Sequence, residues 1–189
     1  PSALFVNGTS SENIRNGGAF KKPHGTEKDK EITDAVFGIG PKDMNVLGKS
    51  PYTNYGVATN GFNVSACMFA LHYFFENAHT LHNFIRNVAE CTALNGYFIG
   101  CCYDGQKVFN LLSDKSENES IVINNGNKKV YEITKLYSQT GFSDDETSFG
   151  YKIDVFQDTI GRPFKEYLVN FNYFVRLMEN YGLVLLTKE

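Results

Sequence analysis

The chain has 189 residues, a length that suits one domain. Apolar residues make up 42% and aromatic residues 14% of the chain, which is enough for a packed core. The net charge of −3 excludes a strongly basic protein that coats nucleic acid, so any contact with RNA must be local. Neither a signal peptide nor a long apolar stretch is present, so neither secretion nor membrane insertion is expected.

Cysteine and histidine spacing predicts neither a disulfide framework nor a metal site. The four cysteines form no CxxC pair and lie in or beside apolar runs, at Cys67, Cys91, Cys101 and Cys102. Such thiols fit a reducing compartment. His79 and His82 stand three residues apart on a predicted helix, but two ligands are too few for a metal.

The first elements in chain order are a short apolar strand, Ala3–Val6, and a segment over residues 12–60 that is rich in turns and charge. We expect this segment to be loop-rich. A brief helix is predicted within it over Ile32–Phe37, and the glycines Gly38 and Gly40 mark its end.

The central stretch is a strand–helix–strand pattern. Phe62–Phe69 is nearly continuous in apolar residues, as expected for a strand that is buried on both faces. Asn77 is a candidate N-cap for a helix that ends near Leu94, and Tyr97–Cys102 is the next strand. Ligands bind beyond the carboxyl ends of strands in open α/β sheets, so residues 68–77 are the first place to look for function.

The second half changes to the period of antiparallel strands. The turn signal at residues 124–126 predicts a hairpin. The predicted elements are a helix over Gly105–Leu112, strands over Ile121–Ile123, Lys129–Leu136 and Ser148–Phe156, a helix over Phe171–Tyr181 and a last strand over Leu183–Thr187.

Two groups of residues could carry chemistry. The first is the aromatic run around His72 and Tyr73, which fits either a packed strand end or the wall of a pocket for a flat ligand. The second is Glu166, a carboxylate among apolar residues, where an unpaired charge is costly. It fits either a solvent-facing strand position or an acceptor for the N–H groups of a ligand.

The pattern FNVSACMFALHYFFEN followed by TLHNFIRNVAECTALNGYFIGCCYDGQKVFNLL resembles the mRNA cap guanine-N7 methyltransferases, most strongly the methyltransferase parts of capping enzymes from large DNA viruses. NGTSSENIRNG, DAVFGIGPKD and KEYLVNF extend the resemblance over nearly the whole chain. It implies an α/β, Rossmann-like class I methyltransferase fold with an antiparallel β insertion over residues 120–170 that contributes to the cap pocket.

The resemblance also implies that the fold is incomplete. The family's glycine-rich donor loop, an upstream lysine and the acidic residue after the second strand do not occur in this sequence. We therefore expect residues 1–189 to be the C-terminal two-thirds of a single methyltransferase domain that lacks the first strands, with weak or no donor binding and no activity alone.

Carried over by residue, the resemblance assigns the cap guanine to His72, Tyr73 and Glu166, with His72 and Tyr73 as positioning groups. S-adenosylmethionine as donor would contact Thr9, Ser10, Met68, Phe69 and Tyr73. Met68 stands where the family usually has a glutamine, and Thr9 where many members have an aspartate. No group acts as a general acid or base, and no metal is implied.

The implied activity is methyl transfer from S-adenosylmethionine to N7 of the guanosine cap of mRNA. The implied partners are capped mRNA and fused triphosphatase and guanylyltransferase domains, without a membrane. The expected location is cytoplasmic, in a viral factory or virion, for a viral protein and nuclear for a cellular one. Two alternatives stay open: a non-catalytic methyltransferase-like module of a capping complex, and a small-molecule methyltransferase.

Overall fold

The computed structural model describes residues 3–187, which fall into two units. The first unit holds the residues up to Ala66 together with His82–Ile99. The second unit holds Cys67–Leu81 together with the residues from Gly100 onward.

Helix α1 (Glu27–Val36) shows how a local signal sets a helix start. The side chain of Thr26 accepts a hydrogen bond from the Asp29 N–H, and the Asp29 carboxylate accepts one from the Thr26 N–H at 3.0 Å. This capping box fixes the first turn. The helix thus starts well before the predicted Ile32–Phe37, because its first turn is polar and looks like loop in the sequence.

Two further short helices, α2 (Met44–Leu47) and α3 (Lys49–Thr53), lie in the segment over residues 12–60. The predicted strand Ala3–Val6 does not form, and neither does the predicted last strand Leu183–Thr187. A strand needs a hydrogen-bonded neighbour, and neither segment pairs with another strand among the residues that the structure describes.

The predicted strand–helix–strand pattern is confirmed. Strand β1 (Phe62–Met68) leads through helix α4 (Ala78–Cys91) to strand β2 (Thr92–Cys101), and the two strands form a two-stranded parallel sheet. The Oδ1 atom of Asn77 accepts the N–H of Thr80 at 3.0 Å, so Asn77 caps α4 as predicted.

Two details of this strand–helix–strand pattern differ from the prediction. Helix α4 ends at Cys91, and Asn95, at φ 62°, lies inside β2. The expected burial of β1 on both faces is wrong, since Cys67 is its one buried residue. The faces of a parallel strand are buried by elements that pack on the sheet, and within residues 3–187 such packing leaves most of β1 exposed.

The second sheet is antiparallel, with strand order β3-β4-β5-β6. Its strands are β3 (Ser120–Asn125), β4 (Lys128–Lys135), β5 (Lys152–Gln157) and β6 (Pro163–Tyr167). The hairpin predicted at residues 124–126 joins β3 to β4. In the register, Ile133 lies opposite Val155, and Val155 lies opposite Phe164.

One face of this sheet supplies much of the core of the second unit. The buried residues of this core are Leu112, Ile133, Tyr137, Tyr151, Ile153, Val155 and Leu168. Helices α5 (Gly105–Leu111) and α6 (Phe171–Asn180) lie close to their predicted positions. The chain is thus a mixed α/β protein with one small parallel and one larger antiparallel sheet.

Candidate functional site

His72 lies in a 3-10 helix, Leu71–Glu76, that follows β1. The chain turns into this helix at Phe69, whose φ of 53° is in the left-handed region that favours glycine. The Phe69 N–H donates to the Cys101 carbonyl at 2.9 Å, which ties the end of β1 to the end of β2. The turn directs the His72 side chain inward, and His72 is only 5% exposed.

Glu166 approaches His72 from the antiparallel sheet. It lies on β6 opposite Ile153, on the face that packs into the core, and is 7% exposed. Its Oε1 atom is 3.7 Å from Nε2 of His72. Two residues far apart in the sequence are therefore neighbours, as the family resemblance implies.

Three polar atoms of this pair are buried without hydrogen-bond partners among residues 3–187. Neither ring nitrogen of His72 has a hydrogen-bond partner in the part of the chain that the structure describes, and the same holds for Oε2 of Glu166. The contact between the two side chains is longer than a hydrogen bond. Since buried polar groups are nearly always paired, these atoms are available to hydrogen bond with a ligand or with ordered water.

Burial moves the pKa values of the pair in opposite directions. It raises the pKa of Glu166 from 4.5 to about 7 and lowers the pKa of His72 from 6.5 to about 4. Each shift disfavours the charged form. At neutral pH the imidazole is uncharged and the carboxyl is poised between its two forms, so the pair is not a salt bridge.

Tyr73 gives the site an aromatic wall that reaches solvent. Its ring centroid lies 4.2 Å from that of His72, at an interplanar angle of 63°. The side chain is about half exposed. Burial and the negative charge of Glu166 both raise the pKa of Tyr73, so its hydroxyl stays protonated.

Three residues beside this site were missed in the sequence. Tyr131 on β4 lies opposite Gln157 on β5, and Gln157 donates from Nε2 to the Tyr103 hydroxyl at 3.2 Å. Burial, a hydrogen bond to Tyr103 and the charge of Glu166 raise the pKa of Tyr131. The only signal for Tyr131 was its alternation with Ile133, which places it on the core face of the strand.

The residues expected at the methyl donor belong to both units. Met68 and Phe69 end β1 in the second unit with exposed side chains. Thr9 and Ser10 lie in the first unit, where Nδ2 of Asn87 donates to the Ser10 carbonyl at 3.1 Å. The roles of these residues stay predictions.

Thr9 and Ser10 border a cavity of about 580 Å³ in the first unit. Its lining is mostly apolar and includes Phe20, Phe37 and Phe62. The hydroxyl of Thr9 already accepts the Ser11 N–H at 3.2 Å.

Metal-binding clusters and membrane spans are absent from residues 3–187. No three His, Cys, Asp or Glu residues among them lie close enough to hold a metal ion. No helix there is long and apolar enough to cross a membrane. All four cysteines are free thiols.

The sequence of the chain is similar to those of known capping proteins. The chain is 31% identical over 156 residues to a probable mRNA-capping enzyme of Acanthamoeba polyphaga mimivirus, covering 79% of this chain and 13% of that protein. It is 30% identical over 125 residues to an mRNA cap guanine-N(7) methyltransferase of Aspergillus niger, covering 66% of this chain and 20% of that protein. The chain therefore spans well under a third of the length of either relative.

The family comparison covers most of the chain. The model of the mRNA (guanine-N(7))-methyltransferase domain matches residues 24–189, which include His72, Tyr73 and Glu166. The chain belongs to the mRNA (guanine-N(7))-methyltransferase domain family.

Proposed function

We propose that the site formed by His72, Tyr73 and Glu166 binds the guanine of the mRNA cap for methyl transfer to N7. The observation that carries this proposal is the buried His72–Glu166 pair, in which Nε2 and Oε1 lie 3.7 Å apart and both ring nitrogens and Oε2 lack hydrogen-bond partners within residues 3–187. Family membership supports the same reaction.

The polar groups of the pair match those of guanine. The base presents N–H donors at N1 and N2 and, beside them, the O6 acceptor. The Glu166 carboxylate accepts from the two donors. A neutral His72 has one ring N–H, which donates to O6. Because this recognition uses the Watson–Crick edge, N7 on the opposite side of the base stays free to react.

Methyl transfer to N7 does not require a general acid or a general base. The N7 lone pair lies in the ring plane and carries no proton, so no base has to remove one. S-adenosylmethionine supplies an electrophilic methyl group on a sulfonium when it is bound. The contribution of this chain is then to hold the guanine in line and to exclude water. Tyr73 serves this role as the wall beside His72.

The donor side of the site is the finer part of the proposal. By the family resemblance, Thr9 and Ser10 in the first unit and Met68, Phe69 and Tyr73 in the second are the candidate contacts of S-adenosylmethionine, in a Rossmann-like fold. The exposure of Met68 and Phe69 supports their part of this assignment, and the cavity beside Thr9 and Ser10 supports the part of those two residues. Capped mRNA is the proposed partner, with triphosphatase and guanylyltransferase domains in a longer protein.

Binding of the cap dinucleotide GpppG by the chain tests the proposal. Glu166→Gln keeps the side-chain shape but puts an amide where two N–H groups need an acceptor, so we expect at least roughly tenfold weaker binding in calorimetry. Glu117→Gln is the matched control, since Glu117 is exposed. Equal affinity of Glu166→Gln and the unaltered chain would refute the assignment.

A further inference from the structure

We propose that Tyr103 is a second ligand-binding residue of this site, whose hydroxyl donates a hydrogen bond to a sugar or phosphate oxygen of the bound guanine nucleotide. The inference rests on the proposed function and adds a contact outside the base. It follows from the position of Tyr103, from its hydrogen bonds and from its exposure.

Tyr103 and His72 lie beyond the same edge of the parallel sheet. His72 follows the carboxyl end of β1, and Tyr103 follows the carboxyl end of β2. The hydrogen bond from the Phe69 N–H to the Cys101 carbonyl holds the two strand ends together. Residues that follow neighbouring parallel strands border one ligand-binding crevice.

The hydrogen bonds of Tyr103 leave its hydroxyl as a donor. Gln157 donates from Nε2 to the phenol oxygen at 3.2 Å, and the hydroxyl groups of Tyr103 and Tyr131 interact by a hydrogen bond. A phenol accepts through its oxygen lone pairs and donates through one hydrogen. The bond from Gln157 uses the phenol oxygen as an acceptor, so the hydroxyl hydrogen can turn toward a bound ligand.

The hydroxyl is also placed to reach a nucleotide. Tyr103 is 41% exposed, in contrast to the buried pair. The charge of Glu166 acts on Tyr131, the neighbour of Tyr103, so Tyr131 lies within electrostatic range of the carboxylate. Since Glu166 and His72 take the polar edge of the base, the oxygens left for Tyr103 are those of the ribose and the phosphates.

Three probes distinguish the two kinds of oxygen: guanosine, GDP and GpppG. If Tyr103 binds the ribose, Tyr103→Phe weakens all three by roughly 2- to 10-fold, as for a neutral hydrogen bond. If it binds a phosphate, only GDP and GpppG weaken, by roughly 10- to 150-fold, as for a charged acceptor. Tyr97→Phe is the control, because Tyr97 is an exposed tyrosine of β2. Either pattern supports the inference.

A structural role for Tyr103 predicts a different result. Gln157→Ala removes a neighbour of the hydroxyl but keeps the donor, so a binding role predicts a smaller loss than for Tyr103→Phe. Equal losses in the two variants, or unchanged affinity of Tyr103→Phe for every probe, would overturn the inference. If Glu166→Gln leaves the affinity for every probe unchanged, or the unaltered chain binds no probe, the proposed function is wrong. The assignment of Tyr103, which rests on it, is then wrong as well.

Discussion

The hydroxyl of Tyr167 donates to Oε1 of Glu76 at 2.8 Å and so joins the two elements that carry the site. Tyr167 follows Glu166 on β6, and Glu76 ends the 3-10 helix of His72. A second link runs from the Gly150 N–H to the Phe75 carbonyl at 3.0 Å. These bonds fix the spacing of His72 and Glu166, although neither makes a hydrogen bond to the other.

Removal of the Tyr167 hydroxyl should loosen the site more than it weakens the fold. The bond is exposed, so Tyr167→Phe should lower the free energy of unfolding by about 1 kcal/mol or less. Affinity for GpppG should fall because the carboxylate is held less firmly. Calorimetry and thermal melts measure the two effects, with Tyr52→Phe as the control. A loss of stability without a loss of affinity would show that this link does not position Glu166.

The stability of the chain should depend on pH through two opposing groups. The folded-state pKa of Glu166 is raised from 4.5 to about 7, so its contribution is fully present below pH 4.5 and is lost as the pH rises through 7. That of His72 is lowered from 6.5 to about 4, so its contribution is present above pH 6.5 and is lost as the pH falls through 4. Each pKa shift corresponds to a contribution of roughly 3 kcal/mol to the free energy of unfolding, gained or lost across its pH window.

Because the two windows overlap, the contributions nearly cancel between pH 4.5 and 6.5 in the unaltered chain. Single variants separate them. Glu166→Gln should become more stable as the pH rises from 4 to 6.5, whereas His72→Gln should become less stable as it rises from 4.5 to 7. Urea melts across this range measure both slopes. Parallel slopes in the two variants would contradict the opposite shifts.

Ligand affinity should also change with pH. Guanine N–H groups bind the ionised form of Glu166, whose pKa in the free protein is about 7. The affinity for GpppG should therefore be roughly tenfold weaker at pH 6 than at pH 8, with proton release on binding near pH 7. Glu166→Gln should show no such dependence. A flat profile for the unaltered chain would mean that the neutral acid binds the ligand.

Elements with strong local signals could be predicted from the sequence. The Asn77 cap, the hairpin at residues 124–126 and the helix over Phe171–Asn180 are set by neighbouring residues, and all three form. The predicted burial of β1 and the predicted strand Ala3–Val6 were wrong, because burial depends on elements packed on the sheet and strand formation on a paired neighbour, and local patterns reveal neither.

The site illustrates the same limit. Local patterns left open whether His72 and Glu166 were core residues, and only the family resemblance linked them across the chain. Tyr131 went unnoticed, since a tyrosine on an alternating strand looks like ordinary core. The register places Tyr131 opposite Gln157, on the face of the sheet that also carries Glu166.

The strained backbone and the exposed ring of Phe69 suggest that this residue serves binding at a cost in stability. Its φ of 53° costs a side chain about 1 kcal/mol or more, and its ring is mostly exposed, so packing does not explain the residue. Phe69→Gly should therefore keep or raise the melting temperature. Asn tolerates the same backbone region, so Phe69→Asn is the matched control for a polar side chain.

If the Phe69 ring contacts ligands at the end of β1, both variants should bind S-adenosylmethionine or GpppG more weakly at unchanged stability. Unchanged binding of both ligands would remove Phe69 from the site, and a lower melting temperature of Phe69→Gly would show that its ring supports the fold.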